Sequence, residues 1–207
     1  VFDPARPVWL AKRHFLMLMR DERLAELEAV YDPGGRLRIA HAGRQVVDAD
    51  TGSEAGREAI GRFFETFMAN NLSGRPRLVR ARGHMFTDNP TPYVSLINLA
   101  TVREIARQLG RDALDPLRFR ANLYIDGLDP WAELGWVGQE LVAGEVRFAC
   151  AERIDRCAAT NVDPASGARD LNIPLALRQA YGHIDCGVLL GAVRGGRLEI
   201  GLAIGPA

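Results

Sequence analysis

The polar and apolar positions of this chain follow two periods, and the changes between them mark its elements. Glu28-Ala29-Val30-Tyr31 and Arg36-Leu37-Arg38-Ile39 alternate on either side of Asp32-Pro33-Gly34-Gly35, which predicts a hairpin closed by a Pro-Gly turn. A helical period takes over at Asp50-Thr51-Gly52-Ser53-Glu54, where Thr51 and Glu54 stand at capping-box spacing. Ile60, Phe63, Phe64, Phe67 and Met68 then share one helix face, an arrangement explained by packing on a core. Over residues 78–85 the period is two again. A strand is expected there with Arg80, Arg82 and His84 along one side, forming either a solvated face or the wall of an anion site.

Pro90-Thr91-Pro92 interrupts the pattern, and residues 93–97 read as a short buried strand. Asn98 can cap a following helix whose Leu99, Val102, Ile105, Ala106 and Leu109 form an apolar stripe, with Gly110 suited to its end. Beyond Arg118 short strands and turns dominate. Residues 119–125 are one expected strand, and residues 139–148 are another, broken at Gly144. Residues 185–193 and 197–204 flank Arg194-Gly195-Gly196 as a second expected hairpin, and residues 171–181 form a short helix interrupted early by Pro174. Many short strands with a few helices predict an α+β or barrel architecture.

Composition narrows the partners. The 207 residues, 47% apolar and 25% charged, suit one ordinary globular domain or two small ones. With a net charge of zero, no global field favours nucleic acid, an acidic substrate or a membrane surface. Lys12 alone among 26 basic residues is a lysine, a bias first explained by GC-rich codon usage. The three cysteines, at irregular spacing and without a CxxC pair, argue against a disulfide framework and a structural zinc site, and for a reducing cytoplasm. No apolar run approaches the roughly 20 residues of a membrane span. The first residues show neither signal peptide nor initiator methionine, so a missing upstream part is expected.

Nucleotide-binding GxGxxG and GxxxxGK[ST] patterns are missing from the sequence, as are HExxH and GxSxG. The best chemical candidate is Cys157, in Glu152-Arg153-Ile154-Asp155-Arg156-Cys157 ahead of Thr160-Asn161-Val162-Asp163-Pro164. Nearby guanidinium groups favour a thiolate, the form that serves as nucleophile or soft metal ligand. The competing explanation for any cysteine is a small buried hydrophobe, and Cys150 and Cys186 take it because they lie in apolar strand patterns. His183 is either an acid–base group or a hydrogen-bonded structural histidine. Asp126-Gly127 marks a turn beside which Trp131 and Trp136 are expected to pack.

Taken in order, five groups of these residues resemble the MOSC domain, the C-terminal domain of molybdenum-cofactor sulfurases, shared with bacterial proteins similar to the mitochondrial amidoxime-reducing component. They are Arg118-Phe119-Arg120-Ala121-Asn122-Leu123; Asp126-Gly127 with Pro130-Trp131 and Glu133; Arg156-Cys157; Val162-Asp163-Pro164-Ala165-Ser166-Gly167; and Tyr181-Gly182-His183 with Gly195-Gly196. The resemblance implies a MOSC β-barrel, α+β and β-rich, over residues 82–207. Residues 1–80 would be the latter part of a preceding N-terminal MOSC-type barrel domain. It also implies the molybdenum cofactor (molybdopterin), with Cys157 as molybdenum ligand and Arg120 and Asn122 as pterin contacts. Thr160 and Asp163 would lie in the loop after the ligand, and Asp88 would match an aspartate near the metal.

Three features depart from the family pattern. Ala121 stands where proline is usual, Gly201-Leu202 stands where Gly-Asp is common, and the Tyr-Pro-Val-Lys-Ser stretch with its Asp-Arg pair would fall upstream of Val1. The implied function is an oxidoreductase that reduces N-hydroxylated or other small oxidised substrates. Its electrons would come from a donor protein, since the chain has no haem, flavin or iron–sulfur motif. A non-redox carrier of the cofactor, or of sulfur on Cys157, is the alternative, and a scaffold that has lost the cofactor is a third reading. Neither nucleic acid nor membrane is an expected partner.

Overall fold

A computed structural model describes residues 2–207, and its contacts divide them into two units: residues 2–90 with Pro164–Ala168, and Thr91–Asp163 with Arg169–Ala207. In the first unit β1 (Leu27–Tyr31), β2 (Arg36–His41) and β3 (Arg44–Asp50) form an antiparallel sheet, followed by helix α1 (Glu54–Phe67). The predicted first hairpin is present, and Gly35 takes the positive φ of its turn. Ile39, Val47, Ala49 and Ile60 are buried together, with Phe63 and Phe64 packed against them, so the helix stripe meets the sheet as expected.

Two expectations change here. The cap of α1 is Ser53, whose Oγ accepts from the Gly56 amide at 3.0 Å, while the Thr51 hydroxyl donates to the Gly35 carbonyl at 2.7 Å. Thr51 lies within reach of the Gly35 carbonyl in the hairpin turn, and Ser53, directly before the helix, is left to satisfy its open amide. Residues 78–85 form no strand: with no partner strand alongside, alternation alone has no ladder to build. His84 packs instead against the Phe2 and Phe86 rings, at centroid distances of 5.2 and 4.9 Å.

The second unit carries β4 (Val94–Asn98), α2 (Leu99–Gln108), β5 (Leu123–Ile125), β6 (Glu140–Ala143), β7 (Val146–Asp155), α3 (Ile173–Tyr181), β8 (Asp185–Arg194) and β9 (Gly205–Pro206). Its six strands run in the order β5-β4-β8-β7-β6-β9 and curl into a half-barrel with open edges at β5 and β9. Only β4 and β5 pair in parallel. Three α-helices and two sheets among the described residues make the chain α+β and β-rich. One core lies among Leu96, Trp136, Leu141, Phe148 and Leu190, and the other joins Ile97, Ile105, Phe119, Ile173 and Leu177 around α2 and α3.

Asn98 caps α2, its Oδ1 accepting from the Ala100 amide at 3.0 Å, and Gly110 follows with positive φ. Pro174 sits in the first turn of α3, where its missing N–H costs nothing, so it starts the helix rather than interrupting it. The expected strand at 119–125 is shortened to β5 because Pro116–Phe119 winds into a 3₁₀ turn. The expected hairpin at 185–204 does not close. β8 pairs with β7 as far as Arg194, residues 197–204 form no strand, and β9 joins β6. Among the described residues no helix is long and apolar enough to cross a membrane.

Candidate functional site

The second unit brings two loops together. β7 ends at Asp155, and the Arg156 amide donates to the Ile184 carbonyl at 2.9 Å, holding the chain beside the start of β8. Cys157 follows in an extended conformation, partly exposed, just before the 3₁₀ turn Ala158–Asn161. That turn closes on Cys157 itself: its carbonyl accepts from the Thr160 amide at 3.2 Å and from the Thr160 hydroxyl at 2.9 Å. Asn161 ties the turn to α3, its Oδ1 accepting from the Ile173 amide at 3.0 Å.

In the other loop, Asp115 caps the turn Pro116–Phe119 by accepting from the Leu117 amide at 2.8 Å, and Arg120 ends it in the left-handed region at φ 53°. For a residue with a Cβ this conformation is strained. The Ala121 amide donates to the Tyr124 hydroxyl at 3.1 Å, and Asn122 Oδ1 accepts from the Ser95 amide at 3.0 Å and hydroxyl at 2.9 Å.

Two buried arginines stitch the loops to each other. Arg118 reaches from its own loop to the segment after Cys157, pairing with Asp163 and with Asp170, each at 2.8 Å. Arg156 reaches back the other way. Its Nη1 donates to the Phe119 carbonyl at 3.2 Å, its Nε donates to the Cys186 carbonyl at 2.7 Å, and its Nη2 also donates to the latter. Its guanidinium lies 5.5 Å from the Phe119 ring centroid, within cation–π range. Burial pushes Arg156 down from its ordinary value, and the adjacent Cys186 and Cys157 act in the opposite direction. Burial likewise raises the Cys186 thiol to about 12, so Cys186 remains a neutral core group.

Arg120 and Asn122 are exposed. The Arg120 side chain makes no hydrogen bond or ion pair among the described residues, and Asn122 keeps its Nδ2 donors while Ser95 holds its oxygen. Thr160 is buried, and its hydroxyl is spent on the Cys157 carbonyl. Asp163 is paired with Arg118, and with Asp170, Asp115 and Arg111 these groups line a polar cavity of about 190 Å³. Three carboxylates against two guanidiniums there would repel an anion. Asp88 belongs to the first unit, where it pairs with Lys12 at 3.0 Å. Arg153 pairs with Asp185 at 3.7 Å, so only Arg156, of the two arginines before Cys157, is left without a carboxylate partner.

Sequence reasoning missed Ser95 and the bracing roles of Arg118 and Arg156. It also missed a buried polar cluster: Glu133, with no exposed surface, accepts from Asn98 Nδ2 at 3.1 Å and from the Thr101 hydroxyl at 2.9 Å. Burial pushes the Glu133 carboxyl up, with hydrogen bonds from its surroundings opposing. A lone glutamate between two tryptophans was the available signal for this cluster. None marked the arginines.

The donor set fits an anionic, sulfur-bearing cofactor. Cys157 is a free, partly exposed cysteine, and Arg120 carries a guanidinium without a hydrogen-bond or ion-pair partner among the described residues, on left-handed backbone of the kind that collects at functional sites. Among the described residues no group of three His, Cys, Asp or Glu side chains is placed to hold a metal alone, so Cys157 would act beside ligands that a pterin brings.

Residues 83–204, more than half of the chain, match the MOSC domain family, and the chain belongs to that family. It is 35% identical over 105 residues to a protein named molybdenum cofactor sulfurase from Caenorhabditis briggsae, covering 49% of this chain and 14% of that one. The protein of the same name from Caenorhabditis elegans is 33% identical over 91 residues, 44% of this chain and 12% of that one. Human mitochondrial amidoxime-reducing component 1 is 27% identical over 108 residues, 52% of this chain and 31% of that one. The matched segment thus spans less than a third of each relative.

Proposed function

We propose that this chain binds the molybdenum cofactor through Cys157 and Arg120. It would be the cofactor-holding part of an oxidoreductase that reduces N-hydroxylated or other small oxidised substrates with electrons from a partner protein. The observation that carries this reading is the joining, by two buried arginines, of a loop bearing a free, partly exposed cysteine to a loop bearing an unpartnered guanidinium. When bound, the cofactor would supply two-electron redox chemistry and oxygen-atom transfer. The chain's own residues bind and orient. The Cys157 thiolate would be a soft metal ligand, the Arg120 fork would suit a phosphate, and Asn122 Nδ2 would donate to an acceptor on the pterin.

A second reading, a non-redox carrier of the cofactor or of sulfur on Cys157, is favoured by one observation: both sulfurases share more identity with the chain than the amidoxime-reducing component does. The deciding experiment is molybdenum and pterin content of the full-length protein, made in a host that synthesises the cofactor, beside Cys157→Ser and Cys150→Ser. Near-stoichiometric metal in the parent and Cys150→Ser, with an altered or lost centre in Cys157→Ser, supports the ligand role. Turnover with a chemical reductant then selects the reductase, and a persulfide on Cys157 without turnover selects the carrier. A parent free of metal and pterin overturns cofactor binding.

A further inference from the structure

We propose that Arg156 is a positioning residue that holds the Cys157 thiol and the Arg120 guanidinium at a fixed separation for a single anionic ligand; this rests on the cofactor reading above. Its backbone immediately precedes Cys157, and its side chain holds the carbonyl of Phe119, which immediately precedes Arg120. The same fork grips the Cys186 carbonyl in β8, near the middle of the sheet. One side chain thus references both loops to the same strand.

The fold makes room for it. Gly187 has φ +83°, and a Cβ there would lie 3.1 Å from Arg156 Nη2 and 2.4 Å from the Leu96 carbonyl oxygen. Arg156 is only 8% exposed, and among the described residues it has no ion-pair partner. A buried cation without a counter-charge is costly, and a well-packed apolar side chain would serve stability better. Arg118 differs, because its charge is cancelled by Asp163 and Asp170. Arg156 has no such paired carboxylate, only the through-space attraction of Asp155, so an anionic ligand beside Cys157 would compensate it further. Its planar fork spans carbonyls that a lysine ammonium, a single point of charge, cannot hold together.

The test uses the full-length protein from a cofactor-making host, with Arg156→Lys and Arg156→Met beside the parent. Pterin and molybdenum per folded chain are read after gel filtration, with melting temperature and amide exchange of the same samples. The expected result is an Arg156→Lys that folds with a modestly lowered melting temperature, because buried carbonyls lose donors, with faster exchange at residues 118–122 and roughly tenfold less pterin retained per folded chain, the scale of losing a metal ligand's supporting partner. A loaded parent with equally loaded Arg156→Lys, or a folded and fully loaded Arg156→Met, overturns the positioning role alone. An Arg156→Lys that fails to fold makes Arg156 a core residue and overturns it too. A parent without pterin overturns the cofactor reading, and this proposal falls with it.

Discussion

The Thr160 hydroxyl donates to the Cys157 carbonyl at 2.9 Å from a position with only 3% exposure, so the candidate ligand's backbone is fixed by a side chain that solvent barely reaches. Thr160→Val keeps the shape and removes the donor. Because Val keeps the side-chain volume and Cys157 itself is only half-buried, the expected loss is that of one hydrogen bond, about 1 kcal/mol, read from urea unfolding. Cofactor content should fall as well, since the Cys157 carbonyl then keeps only the Thr160 amide as donor. An unchanged urea midpoint would show that the bond contributes nothing.

Gly187 offers a sharper steric test. A Cβ 2.4 Å from the Leu96 oxygen, on a left-handed backbone, leaves β8 no room to keep its register with β4. Gly187→Ala is expected to lose at least about 2 kcal/mol of stability, again by urea unfolding. A folded variant of parental stability would refute the tight approach of β4 and β8 at this point.

Glu133 predicts a pH dependence. Burial holds its folded value above the ordinary 4.5, so the folded state binds this proton more tightly than the unfolded chain does. Its contribution to stability is therefore fully present below 4.5 and is lost as pH rises through the folded value. Glu133→Gln has no proton to lose. As pH is raised from below 4.5 to neutrality, the urea midpoint of the parent should fall relative to that of the variant. Parallel profiles would show that Glu133 titrates normally.

Much of the fold was legible where an apolar period and its punctuation stood side by side, as with Asn98, the stripe of α2 and Gly110. It failed where alternation lacked a partner. Leu198, Ile200 and Leu202 alternate well enough, yet all three are exposed, because β7 already pairs with β8 up to Arg194. Pairing is a non-local fact that a local period does not contain. The candidate thiol could be picked from its neighbours, but the work of those neighbours could not. Arginines are expected at the surface, and nothing in Arg118 or Arg156 announces burial against carbonyls and carboxylates from distant segments.

Ala121, where the resemblance led us to expect proline, has a structural consequence. Its amide donates to the Tyr124 hydroxyl, a bond that proline cannot make, and a proline there would push Arg120 toward extended backbone. Ala121→Pro should therefore redirect Arg120 and cost about 1–3 kcal/mol, the sum of a lost hydrogen bond and a displaced turn. Unchanged stability and unchanged cofactor content would mean that the loop accommodates both backbones.

The strain at Arg120 separates stability from function. A non-glycine residue at φ 53° carries a cost that glycine does not, so Arg120→Gly should raise stability by about 1 kcal/mol. Among the described residues the side chain makes no hydrogen bond or ion pair that this change would break. If Arg120 is instead kept for an anionic ligand, the same variant should lose pterin while it gains stability. These opposite signs are informative because few substitutions produce both. Arg120→Lys restores the charge but not the fork and should recover retention only in part. A glycine variant that is more stable and fully loaded would leave the left-handed arginine without a ligand to explain it, and would move the phosphate contact elsewhere.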